Sequence, residues 1–155
     1  MNLEANVLIH RPPEEVWAYL DNVSHISEWD RGVAGAQSTS SISSGVGFEF
    51  DTLAHPRGKQ KDPSWGKMSY RVTETDPDRG CTVQLTSTDG NARFFKTAEW
   101  RFRIEAEQSG SRVFCTAHFL LRLQYLLLAP IFYFMKKAIR RDLVQLKEVL
   151  EKPAA

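Results

Sequence analysis

Cysteine is scarce in this chain: Cys81 and Cys115 are the only two in 155 residues, far too few for a disulfide framework. Two reduced thiols carried on strands are the expected state, and the cytoplasm is the expected compartment. Excess charge of one sign is missing too. Twenty Lys and Arg against nineteen Asp and Glu leave a formal net charge of +1, without the basic surplus that a dedicated nucleic-acid-binding domain carries. The N-terminus has no basic region followed by an apolar core and a small-residue cleavage site, so no secretory signal is expected. Gly-x-Ser-x-Gly elbows, Gly-rich phosphate loops and dinucleotide fingerprints are absent, which leaves hydrolase, kinase and nucleotide-dependent functions unsupported. His10, His25, His55 and His118 are scattered, and the two cysteines lie far apart, so neither a metal site nor a cofactor is expected.

An uninterrupted long apolar run is also lacking. Residues 119–135 come nearest, but Arg122, Gln124 and Pro130 break the run and half of it has strand character, so a buried segment is expected rather than stable membrane insertion. Lys136, Lys137, Arg140 and Arg141 follow directly, and they leave peripheral contact with an anionic membrane open beside the plainer role of a solvated helix face.

What is present begins at His10-Arg11-Pro12-Pro13-Glu14-Glu15-Val16-Trp17. The prolines end a first strand, since proline gives no N–H to a ladder and its fixed φ suits a first helical turn. Glu14 and Glu15 then occupy the positive end of the helix dipole, and Val16, Trp17 and Leu20 supply an apolar face. Asp21-Asn22 breaks this helix before a second short one ending at Trp29-Asp30.

Past Gly32 the period becomes alternating. Strands are expected at about 3–10, 32–41, 46–54, 66–76, 80–88, 93–106 and 112–121, joined as antiparallel hairpins by turns such as Asp76-Pro77-Asp78-Arg79-Gly80 and Ser109-Gly110-Ser111. His55 to Ser64 is expected to be a solvated loop able to fold over an opening. Val46, Phe48 and Phe50, then Met68, Tyr70 and Val72, Val83 and Leu85, and Phe94, Ala98, Trp100, Phe102 and Ile104 are assigned inward. Glu49, Asp51, Arg71, Glu99, Arg101, Arg103 and Glu105 are assigned to a solvated outer face. In the last strand, Val113, Cys115, Ala117 and Phe119 compete with Phe114, Thr116, His118 and Leu120 for the inner face. Leu128, Phe132, Met135, Ile139, Leu143, Leu146 and Leu150 form one stripe at helical spacing, so a helix over 130–150 should lie on the sheet, with Pro130 beginning or kinking it.

This order of elements, with the Pro-Pro-Glu-Glu-Val-Trp entry, Trp29-Asp30, and the Trp100-Arg101-Phe102 strand before Gly110-Ser111-Arg112-Val113, resembles the START-like (SRPBCC) superfamily, in particular its polyketide cyclase/dehydrase branch. The resemblance implies one α+β domain over 1–152 with a short tail at 153–155. It also implies a helix-grip fold: a curved seven-stranded antiparallel sheet wrapped around the long C-terminal helix, with two short helices after the first strand. Between sheet and helix it implies an apolar cavity for a small hydrophobic molecule that is lipid-, sterol- or polyketide-like. Phe48, Phe50, Met68, Tyr70, Leu85, Trp100, Phe102, Leu128, Phe132 and Met135 are the candidate lining residues, unless they form solid core. A cofactor-independent cyclase, dehydratase or aromatase acting in the same cavity is the alternative, with Tyr70, Lys96 and His118 as candidates for proton transfer.

Overall fold

The computed structural model of the protein describes residues 1–58 and 66–153. Its element order is β1 (Asn2–Ile9), α1 (Pro13–Asp21), a 3-10 turn (Val23–His25), α2 (Ile26–Trp29), β2 (Val33–Ser38), β3 (Glu49–Ala54), β4 (Lys67–Asp76), β5 (Gly80–Leu85), a 3-10 turn (Gly90–Phe94), β6 (Phe95–Glu107), β7 (Gly110–Leu121), a 3-10 segment (Leu123–Leu128), α3 (Ala129–Tyr133) and α4 (Met135–Glu151). The seven strands form one antiparallel sheet in the order β1-β7-β6-β5-β4-β3-β2. Every strand after the first therefore pairs with its successor, and β1 closes the series against β7 with Asn2 opposite His118 and Ile9 opposite Ser111.

Local chemistry fixes the hairpins. Gly80 and Gly110 end two tight turns at φ 143° and 150°. A Cβ at Gly80 would stand 1.9 Å from the Phe102 carbonyl oxygen, and one at Gly110 2.1 Å from that of Ile9. No side chain fits either place. The expected strand over 46–54 begins only at Glu49, because Gly45 and Gly47 adopt φ of 89° and bend the chain. Val46 is consequently exposed rather than inward.

Burial resolves the last strand. Ser111, Val113, Cys115, Ala117, Phe119 and Leu121 are buried, while His118 and Leu120 are exposed. Outer-face charges pair across strands as antiparallel register requires: Arg101 reaches Glu74 at 3.1 Å and Arg71 Nε donates to Glu49 at 2.8 Å. Asp51 departs from its outward solvated assignment, being buried with the Lys67 ammonium 3.0 Å away.

Pro130 lies in the first turn of α3, where its missing N–H costs nothing. The expected single helix tightens once, at Phe134, whose N–H bonds Ile131 and whose carbonyl accepts from Lys137 in successive i,i+3 bonds. Ile139, Leu143 and Leu146 of α4 are buried against β1, β7 and α2. The far end of α4 is clamped: the Lys147 ammonium donates to the Leu8 carbonyl at 2.9 Å, Glu151 accepts from His10 N–H at 2.7 Å, and Arg11 donates to the Leu150 carbonyl at 2.9 Å. Among the described residues, no helix is long and apolar enough to cross a membrane.

Candidate functional site

The concave face is built from inward positions that line up across the sheet. Pairing sets Tyr70 beside Leu85, Val72 beside Val83, Val83 beside Trp100, Trp100 beside Ala117, and Phe102 between Cys81 and Cys115. These rows are not sealed to the same degree. On β1 and β7 the inward residues Leu3, Ile9, Val113, Ala117 and Phe119 are almost fully buried beneath α4. On β4, β5 and β6, Met68, Tyr70, Val83, Leu85, Trp100 and Phe102 point the same way yet are only partly buried. The helix therefore fills one side of the cup and leaves the other incompletely covered.

Aromatic rings run across this face as one chain of contacts. Phe48 meets Phe50 at 6.1 Å, Phe50 meets Tyr70 at 5.3 Å, Tyr70 meets Trp100 at 5.4 Å, and Trp100 meets Phe119 at 5.3 Å between centroids. Phe119 then meets Phe95 at 5.2 Å and Phe95 meets Phe132 of α3 at 5.4 Å. Several of these contacts are near-perpendicular, the geometry that the ring quadrupoles favour. The chain's β3 end opens outward. A depression of about 460 Å³ between α1 and the β2–β3 connection is lined by Ala18, Asp21, Asn22, Val23, Ser38, Ser43, Ser44 and Phe48, so it meets the aromatic chain at Phe48.

The polar groups near this interior gather around Asp30. Burial raises the pKa of Asp30, opposed by its bond from Gly32 N–H at 2.8 Å and by the charge of nearby His55. Asp142 on α4 is pushed up to about 6 by burial and then by the charge of Asp30, although Arg31 N–H donates to it at 3.2 Å. The Tyr70 hydroxyl is pushed up by burial and by Asp30, with a bond to Thr52 acting the other way. Burial also lifts both thiols, Cys81 to about 12, and the Cys115 thiol additionally feels Asp142 and Asp30. Both cysteines are thus neutral at physiological pH.

Of the candidate lining residues, Met68, Leu85, Trp100, Phe102, Phe132 and Met135 pack around the main core, and Phe48, Phe50 and Tyr70 form the neighbouring cluster with Val72. Leu128, half-buried at the end of its 3-10 segment, joins neither group. Among the proton-transfer candidates only Tyr70 faces the cup. Lys96 is exposed where the β6–β7 register shifts between Phe95 and Thr97, and that bulge turns its side chain to solvent. His118 lies on the outer face with its ring on the Asn2 side-chain oxygen, because strand alternation gives the inner positions to Ala117 and Phe119. Sequence reasoning did not single out Phe95, Asp30 and Asp142, which the structure brings to this interior, and it named Phe119 only within one of two alternative inner sets of the last strand. Asp142, an acid directly beside Leu143 of the apolar α4 stripe, carried a visible signal.

A curved antiparallel sheet holding a long C-terminal helix, with an aromatic cup between them, defines a helix-grip protein. The chain belongs to the family described as polyketide cyclase / dehydrase and lipid transport, whose model matches residues 1–151. No curated protein matches its sequence. Among solved structures it is similar to TTHA0849 from Thermus thermophilus, at TM-score 0.73 and 18% identity over 97% of each chain. It is also similar to Ara h 8.0201, at TM-score 0.72 and 12% identity over 97% of each chain. The Zhui aromatase/cyclase from Streptomyces aligns at TM-score 0.74 and 13% identity, covering 97% of this chain and 93% of that one.

Proposed function

We propose that this protein binds a small, largely apolar molecule on the aromatic concave face, with entry past Phe48. The observation that carries this is the unequal sealing of the cup. Six inward side chains, Met68, Tyr70, Val83, Leu85, Trp100 and Phe102, keep accessible surface although they lie on the core side of the sheet. Apolar side chains left partly open together on one concave face suit a small-molecule site, whose usual form has mainly apolar walls and few polar groups. Family membership supports the same reading.

The test is titration with an environment-sensitive fluorescent fatty acid and with a fluorescent aromatic polyketide, read alongside native mass spectrometry. One-to-one binding in the micromolar range is expected for at least one probe. Val83→Trp, which fills the cup, should abolish it while circular dichroism stays native. Absence of binding by every probe, or equal binding by Val83→Trp, would overturn the proposal.

A second function is favoured by one specific arrangement, the Tyr70 hydroxyl held within the electrostatic reach of the raised carboxyl of Asp30. Such a pair suits a cofactor-independent cyclisation, dehydration or aromatisation, in which the cup fixes the shape of a reactive chain and the Tyr70 hydroxyl, kept protonated, gives or shares a proton. Likeness to an aromatase/cyclase fold is consistent with it. If this is the activity, Tyr70→Phe and Asp30→Asn lower turnover of a bound polyketide substrate by at least about tenfold without weakening its binding to the same degree. Unchanged turnover in both variants would leave binding alone.

A further inference from the structure

We propose that the segment from Leu123 through Arg141 docks this protein on an anionic lipid bilayer, independently of what the cup holds. The inner side of the segment is already occupied: Tyr125 meets Phe94 at 4.9 Å and Phe132 meets Phe95 at 5.4 Å, which seats the 3-10 segment and α3 on the sheet. The outer side should then be polar, as on any amphipathic surface helix. It is apolar instead. Leu127 is 94% exposed, Leu123 85%, Phe134 66% and Ile131 62%. So many large apolar side chains left bare within one short segment mark an interaction face in a folded protein.

Charge identifies the occupant. From Arg122 to Arg141 the sequence holds five basic residues and no acidic one. Lys136, Lys137, Arg140 and Arg141 emerge in the first two turns of α4, just beyond the apolar tip, and the Lys137 ammonium stands 5.9 Å from the Phe134 ring centroid. Lys137, Arg140 and Arg141 share an open depression of about 280 Å³ with Arg31 and Val144. Apolar side chains projecting beside a row of cations match the two layers of an anionic bilayer surface, with Leu123, Leu127, Ile131 and Phe134 entering the acyl boundary and the cations meeting phosphate and carboxylate head groups. A second copy of this chain would bring the same cations against each other, so self-association through this face is disfavoured by charge. The rigid clamp at the opposite end of α4 leaves this end free to meet a planar surface.

The test uses the full-length protein in sedimentation with vesicles of phosphatidylcholine alone or mixed with phosphatidylserine, together with light scattering of the free protein. Sedimentation is expected only with the phosphatidylserine vesicles, falling about tenfold or more as salt is raised from low to several times physiological strength. Leu127→Asp and the double variant Lys137→Glu with Arg141→Glu should each lower binding by at least about tenfold. All of these positions are exposed, and an unchanged melting temperature confirms the fold. Absence of sedimentation with either vesicle overturns the proposal, as does binding that ignores lipid charge and salt. A dimer that buries Leu127 and does not bind vesicles assigns the face to a second copy and overturns it equally.

Discussion

The indole of Trp29 meets the Phe102 ring edge to face, with centroids 5.8 Å apart and planes at 82°, and its buried Nε1 finds no acceptor among the described residues. The Trp-Asp pair that closes α2 thus contributes two different things: a ring that plugs the cup wall, and a carboxyl that sets the electrostatics of the interior. Trp29→Phe removes the unpaired N–H while keeping most of the ring contact. It is expected to cost less than about 2 kcal/mol, against about 3–5 kcal/mol for Trp29→Ala, as read from urea unfolding. Equal losses in both variants would place the stabilisation in the indole nitrogen rather than in packing.

The raised carboxyl of Asp142 makes stability depend on pH in a defined direction. Its folded pKa, about 6, lies above the ordinary 3.8, so the protonated form is favoured by folding. The contribution is complete below about pH 4 and is lost as pH climbs through 6. Asp142→Asn keeps an acceptor for Arg31 N–H and should raise stability at pH 7 by about 1 kcal/mol once solvent screening of this half-exposed group is allowed for. The variant's urea midpoint should also be flatter than that of the parent between pH 4 and 7.

Glu151 behaves oppositely. Burial alone would raise its pKa, but Lys147 at 2.6 Å and the backbone and ring nitrogens of His10 hold it down to about 2. Its contribution is present above about pH 4.5 and disappears as pH falls through 2. Lys147→Met should return the carboxyl toward ordinary values, seen in a carboxylate NMR titration. It should also speed amide hydrogen exchange in the last turn of α4, at a stability cost of about 1 kcal/mol or less because the part-buried pair remains open to solvent screening.

Cys81 and Cys115 flank Phe102 on either side of β6, two strand spacings or about 10 Å apart, beyond the roughly 7 Å that a disulfide tolerates. Both thiols should resist a thiol-reactive disulfide reagent in the native protein and react fully in denaturant, with no change in mobility on non-reducing gels after mild oxidation. Fast labelling of either thiol in the native state would show that the interior opens readily.

Much of this architecture was legible because local chemistry and burial point the same way. Pro12-Pro13 could only end a strand and begin a helix, and the glycines at 80 and 110 mark turns that no other residue enters. Alternation assigned Phe50, Tyr70, Trp100 and Ile104 inward, where a polar partner strand face made the contrast plain. It left β7 open, because Phe114 and Leu120 place two large apolar side chains on the face that proves to be the outer one. At Phe94 and Phe95 a bulge shifts the phase by one residue, so both rings pack on the interior and period-two counting finds only the first. The expected loop over 55–64 is described only as far as Gly58, its first residues being exposed, and the remainder lies outside the described residues. The polar side of the interior depends on contacts between α2, β2 and α4, which are far apart in sequence and leave no periodic trace.

The pairing of β1 with β7 has a consequence for how the chain reaches this state. Asn2 and His118 are neighbours in the sheet, and the segment between them holds all the other strands. The hairpins from β4 to β7 close over short loops and can form early, whereas β1 must wait for a partner that lies more than a hundred residues away. Such high contact order favours slow folding, with the edge of β7 open to other chains until β1 arrives. Refolding yield should therefore fall with protein concentration, and a preformed β1 peptide added in excess should rescue it by occupying that edge.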